Sequence, residues 1–200
     1  MTIAKKSIFL ILLIIIIDQA LKIWVKTNMV LGQEYHILGN WFIIHFIENN
    51  GMAFGMEFAG KFGKIILSLF RIGAVVGIGW YLIYLIKQKA PTGLIFTISI
   101  ITAGALGNII DSAFYGMIFS NSFYNVASIF PVEGGYSSFL HGRVVDMFYF
   151  PVLEGTFPNW IPFRGGDSFI FFRPVFNIAD SSITVGVTLI LIFQKRFFKK

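Results

Sequence analysis

The chain has 200 residues, 56% of them hydrophobic and 18% aromatic, with only 13% charged. A soluble domain holds about 25% charged residues, so this composition points to a single membrane domain with no separate soluble module. The net charge of +6 does not indicate nucleic acid, since the basic residues form no aromatic-interleaved patch, and the absence of cysteine excludes a disulfide scaffold, a thiol nucleophile and a thiolate metal site.

Lys5 and Lys6 followed by SIFLILLIIII imitate a secretory signal peptide, but Asp18, Lys22 and Trp24 follow where a small-residue cleavage site would stand. The stretch therefore reads as a retained first span, about Ser7–Val25. The segment 26–64 contains YHILGNWFIIHFIENN and then GMAFG, an alternation that predicts a short hairpin or small sheet on the membrane surface. A second span, about Ile65–Ile86, carries Gly73 and Gly77 as G-x-x-x-G, which predicts close helix packing. Its Arg71 is expected to snorkel outward and receives no role. The third span, about Thr92–Ile110, leads into segment 111–174, rich in Phe, Tyr, Gly and Pro, which reads as interfacial loops and short helices. The fourth span is about Val175–Phe193.

Lys5, Lys6, Lys87, Lys89, Lys195, Arg196, Lys199 and Lys200 fall on one side of this arrangement. The positive-inside rule makes that side cytoplasmic, with both termini there. The expected fold is an all-α membrane domain over 1–200, with four transmembrane helices and a small β-sheet and loop region on the outer membrane surface.

Polar residues fall at one depth of this frame. At 1.5 Å per residue, Asp111 lies about 30 Å beyond Thr92, at the outer face. Asp180 is a turn or two below that face, Asp146 precedes Pro151 in the outer segment, and Asn49 and Gly51 lie in the other outer segment. Only Arg71 and the deeper Asp18 fall outside the cluster. Asn108 and Asn177 have a plain structural reading as interhelical hydrogen bonders, and Asp18 with Lys22 reads as an i,i+4 ion pair. Asp111 marks the interface, Gly51 a turn, and His36, His45 and His141 are interfacial residues. Asp146 and Asp180 are harder to treat so, having no basic partner at helical spacing beyond the nearby Arg143. Two adjacent carboxylates share one proton, supplying a general base and a general acid together. No G-x-S-x-G, H-E-x-x-H or G-x-x-x-x-G-K-[ST] motif occurs. The residues thus leave two kinds of reading: carboxylate hydrolysis without metal or cofactor, or carboxylates serving a proton- or ion-coupled small transporter, whose polar sites would spread toward the midplane. A membrane scaffold binding a partner peptide is a third.

Five blocks in order, DQALK, ENNGMAFG, GALGNIIDS, GRVVDMFYF and FNIADSSI, run from Asp18 to Ile183. In them the chain resembles the bacterial lipoprotein signal peptidases, the type II signal peptidases, which are membrane aspartyl proteases. The resemblance implies that Asp146 and Asp180 are the catalytic dyad, that Asn49 and Gly51 help hold substrate, and that Asn108, Asp111 and Asn177 belong to the site. Asp18 and Lys22 would give structural support. The family carries Arg where this chain has Ser112, and Arg143 is the candidate to substitute for it; Met147 stands where Phe is usual. Loops 114–141 and 152–174 are longer than the family pattern. The implied substrate is a prolipoprotein whose cysteine bears a diacylglyceryl group, cut before that cysteine at the outer face of the bacterial inner membrane. A monomer surrounded by membrane lipid, with no metal and no nucleic acid, is expected.

Overall fold

The computed structural model describes residues 1–50, 60–151, 153–160, 162–171 and 174–198. Runs of Ile, Leu, Phe and Val with few charges form helices because a helix satisfies every backbone hydrogen bond within itself, the condition for crossing lipid. Helix α1 spans Ile3–Asn28, with the Thr2 hydroxyl accepting from the Lys5 amide at its start. Helix α2 spans Gly60–Lys87, and α3 spans Thr92–Ile110 behind Pro91. The α3 axis continues through a π-turn, Asp111–Tyr115, into the short α4, Gly116–Ile118. Among the described residues, three helices, Ile3–Asn28, Gly63–Lys87 and Thr92–Ile118, are long and apolar enough to cross a membrane. Helix α5, Ile178–Ile192, is a shorter apolar helix, followed by α6, Gln194–Phe197. It starts later than the sequence pattern suggests, because Asn177 caps it with its side chain and Val175–Phe176 pair as a strand.

Helix α3 is the centre of the bundle, packed on α1, α2 and α5. Glycines set how closely it approaches α5. A Cβ at Gly104 would stand 2.3 Å from the Ala179 carbonyl oxygen, and one at Gly186 would stand 2.3 Å from the Ile101 side chain. At Gly107 a Cβ would meet the Asp18 carboxylate at 2.8 Å, so all three helices meet there. The expected packing through Gly73 and Gly77 is not observed: a Cβ at either would meet nothing within 4 Å. Those glycines lie on a largely exposed helix, and the close contacts belong to Gly104, Gly107 and Gly186 instead.

The sheet lies at the end of the bundle where α1 stops and α5 starts. Strands β1 (Glu34–Leu38), β2 (Phe42–Asn49), β3 (Val144–Tyr149) and β6 (Val175–Phe176) form an antiparallel sheet in the order β1-β2-β3-β6. The predicted hairpin is β1–β2, turning through Gly39 at a φ of +54° that a side chain would strain. Strands β4 (Leu153–Thr156) and β5 (Ser168–Phe171) form a separate hairpin between β3 and β6. The β2–β3 pairing joins the two long loops, with Ile47 opposite Asp146 and Glu48 opposite Val145.

Side chains alternate across this ribbon. Phe46, Glu48, Arg143, Val145 and Met147 face the core formed with Val25, Met29, Tyr115 and Phe119, while Asn49 and Asp146 face the start of α5. The long segment after α4 packs against the end of α1, where the Ala127 amide donates to the Lys26 carbonyl (3.2 Å) and the Leu31 amide to the Ser122 carbonyl (2.9 Å).

Candidate active site

The site is built outward from one face of α1. Asp18, Lys22 and Lys26 recur every fourth residue on that face and are at most 1% exposed. A buried ammonium needs anionic partners, and Lys22 has two: its Nζ lies 2.9 Å from Asp18 Oδ2 and 2.9 Å from Asp111 Oδ2. Its third hydrogen bond goes to Asn108 Oδ1, at 3.0 Å. Asp18 Oδ1 accepts the Ala179 amide (2.9 Å), so α1 holds the first turn of α5. Asp111 also accepts from Gln19 Nε2 (2.8 Å) and from the Val145 amide (3.2 Å), tying the π-turn to β3. Single π-turns recur at functional sites; this one directs Asp111 inward.

Lys22 donates only, so Asn108 must turn its Oδ1 toward it. The Asn108 amide nitrogen is thereby left for Asp180, and donates to Oδ1 at 2.8 Å. Asn177 Nδ2 donates to Asp146 Oδ1 at 2.8 Å and lies 3.2 Å from Asn108 Oδ1, while Asn177 Oδ1 accepts the Asp180 amide at 2.9 Å. The two aspartates are thus joined through two asparagine side chains. Asn49 Nδ2 adds a contact to Asp146 Oδ2 at 3.3 Å. Asp146 is 3% exposed. Burial first, then the charge of Asp180, pushes its carboxyl up to about 7, against the hydrogen bonds from Asn49 and Asn177 and the field of Lys22. The arrangement can hold one proton between two carboxyl groups at neutral pH.

The opposite face of the ribbon carries a second charged cluster. Glu48 pairs with Lys26 and, at 2.9 Å, with Arg143, and accepts from the Ser122 hydroxyl at 3.1 Å. Burial raises the Glu48 carboxyl, but Lys26 and Arg143 outweigh it and hold the group below its ordinary range. The Arg143 guanidinium stacks over Phe123 and Tyr136, each 5.1 Å away. Strand alternation puts Arg143 on Glu48, on the face of the ribbon away from Asp146. Ser112 is buried, with its hydroxyl donating to the Asn108 carbonyl at 3.0 Å.

Of the sequence candidates, Asp18, Lys22, Asn49, Asn108, Asp111, Asp146, Asn177 and Asp180 come together in one network. Gly51 lies outside the described residues, and Arg143 joins the Glu48 cluster. Asp18 is no deeper outlier but part of the network, because α5 starts at its level. Arg71 also departs from expectation: it is half-buried and lies in the field of Asp180, Asp146 and Asp111. Sequence reasoning gave no role to Gln19, which bonds Asp18, Asp111 and the Gly107 carbonyl and accepts from the Tyr115 hydroxyl. It also missed Lys26 and Glu48. The four-residue recurrence of polar side chains along an apolar α1 was the available signal for Lys26.

The model of the family described as "Signal peptidase (SPase) II" matches residues 10–196. The chain belongs to the signal peptidase II family. It is 54% identical over 189 residues to a lipoprotein signal peptidase of Porphyromonas gingivalis, covering 94% of this chain and 81% of that one. It is 39% identical over 187 residues to a lipoprotein signal peptidase of Amoebophilus asiaticus, covering 92% and 75%. A solved structure described as "Bacterial membrane enzyme structure by the in meso method at 2.3 A resolution" is similar with a TM-score of 0.63 at 27% identity, covering 98% of this chain and 92% of that one. As a signal peptidase II the chain is a peptide-bond hydrolase, and the aspartic class fits its carboxylate site. The transporter reading finds no support.

Proposed function

We propose that Asp146 and Asp180 are the catalytic pair of this signal peptidase II, and that it cuts diacylglyceryl-modified prolipoproteins just before the lipid-bearing cysteine. The observation that carries this is the amide bridge, Asp146–Asn177–Asn108–Asp180, which positions two carboxyl groups of unlike surroundings side by side. Burial favours the proton on the Asp146 side, although the titration belongs to the pair. Asp180, ionised, takes a proton from water as its oxygen attacks the scissile carbonyl carbon. Asp146 gives its proton to the carbonyl oxygen, forming a neutral tetrahedral diol. Collapse breaks the C–N bond as a diol hydroxyl returns its proton to Asp146 and Asp180 passes the proton taken from water to the leaving amine, which restores the singly protonated pair. Asn49, at the end of β2, and Gly51 beyond it hold the signal peptide over the pair, while Asn108, Asp111, Asn177, Lys22 and Asp18 keep its geometry.

The fold is one integral membrane domain over 1–200, with four spans: α5 with α6 completes the fourth, and the sheet lies on the outer surface. Lys5, Lys6, Lys87 and Lys89 stand at the opposite end from the sheet, which makes that end cytoplasmic, with both termini, and the site periplasmic. The enzyme works as a monomer in the bacterial inner membrane, with the substrate's acyl chains in the surrounding lipid.

The test is cleavage of a diacylglyceryl-modified prolipoprotein by purified protein in detergent. Asp146→Asn and Asp180→Asn are each expected to fold and to lose nearly all turnover. Cleavage at wild-type rate by either variant would remove it from the catalytic pair.

A further inference from the structure

Arg71 is a charge in the middle of an apolar helix, where a cation is expensive and marks function by default. Its place is set by a polar stripe. Lys64, Ser68 and Arg71 are spaced by four and three residues and share one face of α2. Lys64 Nζ donates to Asn50 Oδ1 at 3.0 Å, beside the Asn49 that donates to Asp146. The Ser68 hydroxyl, buried, donates to the Leu140 carbonyl at 3.2 Å. The Leu140 and Gly142 amides in turn bond the Ala113 and Ser112 carbonyls, next to Asp111. The stripe therefore faces the site.

Depth agrees with this. Arg71 is 11 residues into α2 and Asp18 is 10 from the end of α1, so each lies about 15–17 Å along its helix from the sheet end. Asp18 meets Ala179, the neighbour of Asp180. Asn108 from α3 donates to Asp180, while Asp146 from β3 and Arg71 from α2 lie in its field, and Asp18 and Lys22 from α1 with Asp111 from the π-turn form the adjoining ion-pair cluster. Lys22 is already shared between Asp18 and Asp111. Arg143 is held by Glu48, and Ser112 carries no charge. Lys22 is thus spent on Asp18 and Asp111, and Arg71 is a further cation in the field of Asp180, Asp146 and Asp111.

We infer that Arg71 is a positioning residue for the pair, its positive charge set against Asp180 and Asp146 from the α2 side of the site. This rests on the catalytic reading of the two aspartates. A positive charge favours the singly ionised pair over the fully protonated one, so its removal shifts the acid side of the pH dependence of cleavage. The acid limb of the kcat/KM profile then moves to higher pH.

The experiment measures cleavage of a diacylglyceryl-modified prolipoprotein peptide across the neutral pH range by the full chain in detergent. It compares wild type, Arg71→Gln and Arg71→Lys, with Asp146→Asn and Asp180→Asn as controls. For Arg71→Gln the acid limb is expected to rise by about 1–2 pH units, a loss of roughly 10–100-fold below the limb. Arg71→Lys keeps the charge and leaves the limb near wild type. Should Arg71→Gln fail to fold, Arg71→Met takes its place, because α2 is largely exposed and accepts an apolar unbranched chain. An unmoved limb in the neutral variant, whatever its kcat, overturns the inference, and so does a limb moved as far by Lys as by Gln. If the aspartate variants still cut, the catalytic pair itself is wrong. If they are inactive while the Arg71→Gln limb stays put, the role of Arg71 alone falls.

Discussion

Lys22→Met tests the centre of the network without changing its volume greatly. The ammonium makes ion pairs of 2.9 Å with both Asp18 and Asp111 and a 3.0 Å hydrogen bond to Asn108, all within side chains at most 9% exposed. Removing one partner of a buried pair costs about 3–5 kcal/mol, because the remaining charge is left uncompensated. Here two carboxylates are left together, and protonation of one relieves part of the repulsion, so the total is about 5 kcal/mol. For a chain of this size that corresponds to a fall in Tm of roughly 10–20 °C. Thermal unfolding in detergent, followed by tryptophan fluorescence, reads it directly. Lys22→Met combined with Asp18→Asn should recover part of the loss, with a coupling of about 0.5–3 kcal/mol. A loss below about 1 kcal/mol, the scale of an exposed pair, would refute the claim that Lys22 is the buried hub. Turnover is also expected to fall, since Asn108 then has no cation to fix which end of its amide faces Asp180.

Asn177→Ala removes both the donor to Asp146 and the cap of α5; turnover should drop about 100-fold, as when a positioned donor is lost, with about 1 kcal/mol of destabilisation. Gly104→Ala drives a methyl into the Ala179 carbonyl and should cost about 1–3 kcal/mol, whereas Gly73→Ala should be neutral or stabilising by up to about 1 kcal/mol; equal melting temperatures for the two would contradict the observed packing. Asp146 has a folded pKa of about 7, above its unfolded value, so the stability it gives is present at low pH and lost as pH rises through neutrality. Asp146→Asn should flatten that slope and melt higher than wild type above neutral pH in thermal unfolding, while the cleavage assay shows it inactive. Glu48 has the opposite sign: its depressed carboxyl contributes stability above the ordinary carboxylate range that is lost on acidification. Glu48→Gln should remove that acid-side loss while destabilising the fold at neutral pH.

Much of the site was legible because its residues are unlike their surroundings. An aspartate or asparagine within an apolar run is conspicuous, and the order of DQALK, ENNG, GNIID, VVD and FNIAD carries the family. The sheet was legible as alternation in YHILGNWFIIHFIENN, which became β1 and β2. Strand β3 was harder, since its partner residues in β2, from Asn49 opposite Val144 to Ile43 opposite Tyr149, are far away in sequence and its own residues are buried on both faces, leaving no alternation to see. G-x-x-x-G at Gly73 misled for a related reason: the spacing records that a close approach is possible, and only the arrangement of helices decides where one occurs.

The residues by themselves determined that this is a membrane chain, where its apolar helices fall, and which carboxyl groups stand where lipid would reject them, because hydrophobicity and cost of burial are properties of each side chain. Tertiary structure alone decided which neighbours those groups received. It turned Arg143 to Glu48 through the two-residue period of a strand, brought Asp18 level with Ala179 and 161 positions from it, and turned the stripe of Arg71 toward the aspartates. Charge interactions depend on distance and surrounding dielectric, and both are set only when the helices and the sheet have packed.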